Sequence, residues 1–587
     1  MTEPLPYRDR PLNDSVRDAL VSAGLHPTLA SCLARRGVQG PEELDASLIH
    51  LPPPRSMRNA SEAGAAIGQA ILHERRFLVV GDYDADGATA TALVVRGLGR
   101  LGADIRFLVP DRFRFGYGLT RPLLEFATQQ SANHLPHWII TVDNGISSVE
   151  GVAFARAMGI EVLVTDHHLP GRVLPDTLIL NPQMSDCAFP SKNLAGVGVA
   201  FYLVMATRAW LIQQDGVETA AGRPSRFPNG PPRLDDLLPL VALGTVADLV
   251  GLDAHNRRLV EQGLRRIRKG LAPEGMKALF RVSGRTLESA CSSDLGFQIG
   301  PRLNAAGRLA DMAIGIRCLL SDDPQEAQNL AESLNALNQE RREREASARD
   351  EAQELAAELQ ADATRYGLIL FKDTWHQGIV GLLASRVKER AYRPVIAFAP
   401  ESPQSPLLKG SGRSIPGVHL RDVLERVDTQ SPGLIRAFGG HAMAAGLTIE
   451  RSQLSQFSDR FEEALRAFCS EDVFRSELMT DGLLEPSQHQ VQLAQQLAGQ
   501  VWGQGFPPPV FRAVFRIRSQ RLLKEKHLKL RVSPRSSPAH EFDAIWFNGP
   551  SSLPSHAHLA YELSTNDWQG QEAVQLLIRG LLNPEGA

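Results

Sequence analysis

Three apolar runs in this chain end in residues that bind hard or borderline divalent cations. Residues 77–81 (FLVVG) lead into Asp82, Asp84 and Asp86. Residues 138–142 (WIITV) lead into Asp143, and residues 162–165 (VLVT) lead into Asp166, His167 and His168. Carboxylate and imidazole donors together suit Mn²⁺ or Mg²⁺. Three aspartates at one strand end would repel one another without a cation. The segment GDYDADG (81–87) also matches the opening of an EF-hand loop. That loop needs a glutamate at its twelfth position and helices on both sides; counting from Asp82, that position holds Leu93, and a strand precedes it. A plainer alternative is an Asp-rich turn in which one aspartate caps the next helix.

Asp143 can bridge two ions, because each carboxylate oxygen can hold one. His167 and His168 are adjacent, so on extended backbone they point opposite ways. One is expected on a metal, the other behind the ligands or on a phosphate. Asp248, in GTVADL (244–249), falls near a helix C-terminus, where the helix dipole disfavours a carboxylate. Metal ligation gives it a reason to be there. Two ions roughly 3.5–4 Å apart would activate a water and stabilise the leaving oxygen of a phosphodiester.

These residues need elements to gather them. Apolar runs alternate with amphipathic stretches from 77 to 168, with helices expected at 89–101, 121–130 and 148–158 and a further strand at 105–109. That βαβα alternation predicts a parallel, doubly wound sheet. Ligands of such sheets bind beyond the carboxyl ends of the strands, which is where all three donor clusters fall. Residues 214–233, rich in Gly, Pro and polar residues, read as a surface insertion. After Pro324, as far as about Arg365, there is no Pro or Gly, which predicts a connector helix of roughly 60 Å between two lobes. A second α/β unit is expected over 366–469. Five short strands at 510–518, 527–532, 542–547, 559–563 and 573–579 then suggest a small barrel or sandwich.

A length of 587 residues exceeds one core, so three or four domains are expected. The net charge of −3 does not advertise a polyanionic partner, but charge can be segregated. Between 510 and 535 nine basic residues (Arg512, Arg516, Arg518, Arg521, Lys524, Lys526, Lys529, Arg531, Arg535) face one acidic residue, Glu525. Such a stripe suits a single-stranded nucleic acid, or forms a solvated sheet face. Phe511, Phe515 and Trp546 could stack bases or fill a core. Phe113, Phe115 and Tyr117 alternate with Arg112 and Arg114, which suits bases and phosphates or anchors a loop. Arg302, Asn304 and Arg308 offer donors for phosphate, or join an ion-pair network with Asp294 or Asp311. The five cysteines are scattered and form no CxxC pair, which points to a reducing compartment. The N-terminus has no apolar leader and no membrane-spanning run stands out, so the cytoplasm is expected.

With these residues in place, the chain resembles the DHH phosphoesterase superfamily, named for Asp166, His167 and His168. GDYDADG, VDNGIS (142–147), TDHH (165–168) and GTVADL are similar to its four N-terminal motifs in order. HQGIVGLLASR (376–386), GRSIPGVHLRDVL (412–424) and FGGHAMAAG (438–446) resemble the accessory DHHA1 domain, and GPRLNAAGRL (300–309) fits the same family. The resemblance implies that Asp84, Asp86, Asp143, His167 and Asp248, with Asp82, hold two Mn²⁺ or Mg²⁺ ions. Asp143, Asp166 and His168 would serve catalysis, with His168 on the scissile phosphate. Arg413, Ser414 and His441 would contact substrate.

The implied fold is α/β: a parallel-sheet DHH domain and a smaller α/β DHHA1 domain joined by a long helix, then an OB-like β-barrel. The expected division is an N-terminal segment (1–55), the DHH domain (56–270), a linking region (271–365), the DHHA1 domain (366–469) and the OB-like domain (470–587). The implied activity is 5′→3′ degradation of single-stranded DNA to mononucleotides in recombination and repair. The alternative is a DHH phosphodiesterase acting on short oligoribonucleotides or cyclic dinucleotides. A monomer working with a single-strand-binding protein and a recombination helicase, and away from membranes, is also implied.

Overall fold

The computed structural model describes residues 4–111, 114–130, 135–360, 365–440, 442–474, 476–568 and 571–584. Strands β1 (Arg76–Gly81), β2 (Asp104–Leu108), β3 (Trp138–Val142), β4 (Glu161–Thr165) and β5 (Leu178–Leu180) form an all-parallel sheet in the order β2-β1-β3-β4-β5. Their near-continuous Val, Ile and Leu content follows from burial on both faces. The strand order reverses at β1, which has β2 on one side and β3 on the other. The connections after β1 and β3 therefore diverge, and a crevice opens at their carboxyl ends.

Helices α1 (Ala60–Leu72), α2 (Ala85–Arg100) and α3 (Gly196–Ala220) pack on this sheet, and α4 (Leu238–Ala247) and α5 (Gly300–Leu309) pack against α2. Helix α2 begins earlier than the expected 89–101, because the Asp84 carboxylate accepts the Gly87 N–H at 3.0 Å and caps it. Asp86 thus lies in a helical first turn rather than a loop. Helix α3 runs through Ala220, so the first part of the expected 214–233 insertion is helical. Asp215 on α3 accepts bonds from Ser225 and from the backbone of Arg226, tying the remaining loop back. By length and composition α3 could also cross a membrane, but 67% of its apolar window is buried inside the protein. It packs on α1, α2 and α4 as a core helix.

The chain divides into two compact units, Met1–Ala336 with Met479–Ala587, and Leu337–Leu478. The expected connector is one helix, α6 (Pro324–Gln360), which belongs in part to each. In the second unit, β6 (Leu368–Phe371), β7 (Val395–Pro400), β8 (Leu407–Arg413), β9 (Ala437–Gly440) and β10 (Ala444–Glu450) form a sheet ordered β9-β10-β8-β7-β6. Only β6 and β7 pair in parallel. Phe398, Leu408, Phe457 and Phe461 fill its core.

Strands β11 (Phe511–Leu523), β12 (His527–Pro534), β13 (Phe542–Trp546), β14 (His556–Trp568) and β15 (Gln571–Leu581) close a barrel in the order β11-β12-β13-β15-β14. Closure removes exposed strand edges. The N-terminal segment reaches the barrel at Leu5, whose N–H donates to Leu581 O, and pairs with the strand ahead of the barrel at Arg10, whose N–H donates to Thr480 O, both at 2.8 Å.

Candidate metal centre

Every acidic donor sits where an element starts or stops. Asp82 follows β1, and Asp143 follows β3 with φ +62°. Asp166, His167 and His168 follow β4, and Asp248 is the residue that ends α4. A non-glycine residue held at positive φ stores strain of roughly 1–3 kcal/mol, which the surrounding structure must impose.

The donor atoms fall into three overlapping groups, each within 4.8 Å: Asp82, Asp84 and Asp143; Asp86, His167 and Asp248; and Asp143, His167 and His168. Asp143 is shared by the first and third groups, as a bridging carboxylate would be. His167 Nε2 lies 3.1 Å from Asp143 Oδ1, 3.5 Å from Asp248 Oδ2 and 4.0 Å from Asp86 Oδ2. Asp86 is aimed by the start of α3: the N–H groups of Gly196 and Val197 donate to its two oxygens at 2.6 and 2.9 Å. The helix dipole favours a carboxylate there. Gly196 is required for this approach, since a Cβ on it would stand 2.5 Å from the Asp143 Cβ.

Burial, and then the charge of Asp84, pushes the Asp86 carboxyl up to about 7. Burial also raises Asp143 and Asp248 well above the ordinary carboxylate range, with Asp86, Asp84 and Asp82 adding repulsion. Neither Asp143 oxygen accepts a hydrogen bond although both are buried. A buried carboxylate without donors, facing other carboxylates, is costly unless a cation sits among them. The residues therefore fit divalent ions.

A pH dependence follows. Carboxylates with raised pKa make the metal-free fold bind more protons than the unfolded chain. Their contribution to stability is therefore lost as pH rises from about 4 through about 7. A divalent ion reverses this loss and must displace those protons. The rise in Tm on adding Mn²⁺ is expected to be larger at pH 8 than at pH 6. Calorimetry in buffers of different ionisation enthalpy should show proton release at the lower pH.

Asp166 plays a different part. Its Oδ1 accepts the N–H of His167 at 2.7 Å, the N–H of His168 at 3.1 Å and His168 Nδ1 at 2.7 Å. Its Oδ2 accepts the Ile146 N–H at 2.9 Å. Burial works against its ionisation, yet His168, His167 and these bonds hold its pKa below the usual value. Asp166 thus holds His168 rather than facing the crevice. Burial lowers the His168 pKa, but the bond and charge of Asp166, with Asp82 and Asp84, outweigh it and raise it to about 9. The Tyr117 hydroxyl, from the aromatic and basic run expected to suit bases and phosphates or to anchor a loop, donates to Asp143 O at 3.3 Å and lies 3.4 Å from His168 Nδ1. Its ring is 43% exposed and edge-on to Tyr83. Phe115 instead packs on Phe126 under Arg114, as a loop anchor. Arg112 and Phe113 lie outside the described residues.

The expected substrate contacts separate. Arg302 is buried, its Nε donating to Asn335 at 3.0 Å and its Nη1 to Gln298 O at 2.6 Å, so it neither lies on the surface nor forms the expected pair with Asp294. Asp294 is 3.3 Å from Arg285 instead. Asn304 accepts a bond from the backbone of the Asp loop. Arg308 lies near the end of α5, half-buried. In the second unit, Arg413 donates to Ser411 Oγ at 3.0 Å and Gly412 O at 2.8 Å. The buried Ser414 hydroxyl donates to Val418 O at 2.8 Å. His441 lies outside the described residues.

On the barrel, Phe511, Phe515 and Trp546 are all buried, so they are core and not stacking platforms. Their strands alternate, and the apolar positions face the closed interior. The basic stripe is also narrower than the sequence suggests: Arg512 pairs with Asp9, Arg518 with Glu541, and Arg531 with Glu541 and Asp543. Arg521 and Lys529 stand directly opposite on β11 and β12 with no acidic partner among the described residues. Just beyond β13, Phe547 is 56% exposed and edge-on to His527 at 5.3 Å. A pair of opposed cations beside an exposed ring suits an anionic strand with bases.

Comparison with known proteins bears on these sites. Residues 76–245 match the DHH family N-terminal domain, 364–467 the DHHA1 domain, and 480–580 the RecJ OB domain. The single-stranded-DNA-specific exonuclease RecJ of Salmonella typhimurium is 46% identical over 571 residues, covering 95% of this chain and 96% of that protein. RecJ of Escherichia coli K12 is 45% identical, covering 98% of this chain and 99% of that protein. The crystal structure of Thermus thermophilus RecJ with Mn²⁺ matches with a TM-score of 0.80 at 29% identity, over 100% of this chain and 81% of that one. The same protein with Mg²⁺ matches with a TM-score of 0.74 at 28% identity, over 99% of this chain and 79% of that one.

Proposed function

The chain belongs to the RecJ family of single-stranded-DNA-specific exonucleases, and from that membership we propose that it removes mononucleotides from the 5′ end of single-stranded DNA, using two divalent ions, in recombination and repair. The observation that carries this reading is Asp143, a buried carboxylate without hydrogen-bond donors that belongs to two separate donor groups. Asp82, Asp84, Asp86, Asp143, His167 and Asp248 would hold the ions, Mn²⁺ or Mg²⁺. When bound, the ions lower the pKa of water and offset the charge of the phosphodiester. His168, kept protonated by Asp166, donates to a phosphate oxygen in the crevice. Asp166 positions it, and Tyr117 lies against both Asp143 and His168.

In this reading catalysis belongs to residues 56–270, and the roles of Arg413, Ser414 and His441 as substrate contacts rest on family membership alone. The barrel within 470–587 holds the strand leading away. A barrel of this kind favours long single strands over the short oligoribonucleotides or cyclic dinucleotides of the alternative. A monomeric state in the cytoplasm, and action beside a single-strand-binding protein and a recombination helicase, rest on family membership alone.

The barrel assignment has its own test. Phe547→Ala is expected to weaken binding of a long single strand by about 1–3 kcal/mol. The double variant Arg521→Ala, Lys529→Ala should reduce the salt slope of log K by ~1.4, two charges at about 0.7 each. Both are read by fluorescence anisotropy across a salt series. Unchanged slope and affinity would remove this face from the strand's path.

A further inference from the structure

Helix α5 reaches into the metal loop by two independent contacts. The Asn304 side-chain oxygen accepts the Ala85 N–H at 2.7 Å, across 219 residues of chain. Because a backbone N–H can only donate, the amide's oxygen must face it. Ala85 lies between Asp84 and Asp86 and opens α2, so its N–H is one that the helix itself leaves unmatched. One turn along α5, a Cβ on Gly307 would stand 1.7 Å from the Tyr83 carbonyl oxygen. Tyr83 lies between Asp82 and Asp84. The backbone of α5 therefore rests directly on the loop that carries three of the metal-binding carboxylates.

Those carboxylates repel one another and would spread the loop unless something holds it. The Asn304 side-chain oxygen supplies the acceptor that the Ala85 N–H lacks within its own helix. We propose that Asn304 is a positioning residue which fixes the Asp82–Asp84–Asp86 loop in its ion-binding shape, so that its effect falls on metal affinity and not on DNA contact. This rests on the two-ion reading. It differs from the expectation that Asn304, in GPRLNAAGRL, is a donor to substrate phosphate.

The test uses the full-length protein, stripped of metal and titrated with Mn²⁺, with free Mn²⁺ followed by electron paramagnetic resonance. Groups that support ligands typically change affinity 10–100-fold. Asn304→Ala is expected to weaken Mn²⁺ binding by at least about tenfold while leaving the Tm of the metal-free protein within ~2 °C of the parent. Asn304→Asp keeps the acceptor and should restore binding to within about threefold. Parent-like Mn²⁺ binding in Asn304→Ala would overturn the proposal. So would equal losses in the Ala and Asp variants, or a metal-free Tm that falls with the affinity. A raised KM for DNA at unchanged Mn²⁺ affinity would assign Asn304 to the substrate instead. Asp143→Ala serves as the reference: if it too binds Mn²⁺ like the parent, the two-ion reading fails. If it loses Mn²⁺ while Asn304→Ala does not, only the loop proposal fails.

Discussion

Asp143→Ala is expected to lower Mn²⁺-dependent nucleotide release at least ~1,000-fold, a loss of about 4 kcal/mol of transition-state stabilisation. Asp143 is the carboxylate shared between two donor groups, so its removal takes a ligand from both. Its effect on the metal-free fold has the opposite sign. Both Asp143 oxygens are buried without hydrogen-bond donors and face the charges of Asp86, Asp84 and Asp82. The backbone there is also held at φ +62°. Asp143→Asn keeps the shape and removes the repulsion. It should raise metal-free stability by about 1–2 kcal/mol while losing the activity. Strain and repulsion kept at a site for the sake of function give such a trade-off. Activity retained in either variant, or a lower metal-free Tm in Asp143→Asn, would contradict this account. Single-turnover assays and thermal melts in a chelator read the two effects.

Asp481→Ala is expected to destabilise the fold by about 3–5 kcal/mol. Arg36 and Asp481 are 2% and 0% exposed and 2.6 Å apart, and they join the N-terminal helices to the barrel. The Arg36 guanidinium donates to both Asp481 oxygens, to Cys32 O and to Pro507 O, and it lies over the Trp502 ring. Asp481 also accepts the Val510 N–H at 2.8 Å, where the chain enters β11. Removing the carboxylate leaves a buried cation and an unmatched N–H together. Asp481→Asn keeps the shape and part of the bonding and should lose less. Urea unfolding with intrinsic tryptophan fluorescence measures both. A loss below about 1 kcal/mol in Asp481→Ala would show that the pair is not what fastens the barrel.

The pair is also an instance of what sequence could not reveal. Arg36 and Asp481 are 445 residues apart, and nothing in either neighbourhood marks them as partners. The sheet and its loaded strand ends were legible, because apolar runs ending in Asp and His carry both the period and the chemistry. The role of Asp166 was not, since a ligand and a group that orients a ligand share one residue type. Only the bonds to Ile146, His167 and His168 tell them apart.

The aromatic residues of the barrel stayed open between stacking and core for a related reason. Alternation shows that two faces exist but not which face the closed barrel turns inward. Phe511, Phe515 and Trp546 went inside, and Phe547, one residue past a strand end, stayed out. Asn304 was read as a donor to substrate, because its partner Ala85 has no side-chain signal at all. Tyr117 was legible only as part of an aromatic and basic run, with no sign that the turn would bring it to Asp143.

Degradation of single-stranded DNA from its 5′ end by this metal centre is tested most directly with end-labelled strands. Two oligonucleotides of one sequence, labelled at the 5′ or the 3′ terminus, each alone and as a blunt duplex, would be incubated with the full-length protein and Mn²⁺. The 5′ label should appear at once as a mononucleotide, while the 3′ label stays on strands that shorten stepwise. Both duplexes should survive, and chelation should stop the reaction. Early release of the 3′ label, or equal attack on the duplex, would contradict 5′-end degradation of single strands.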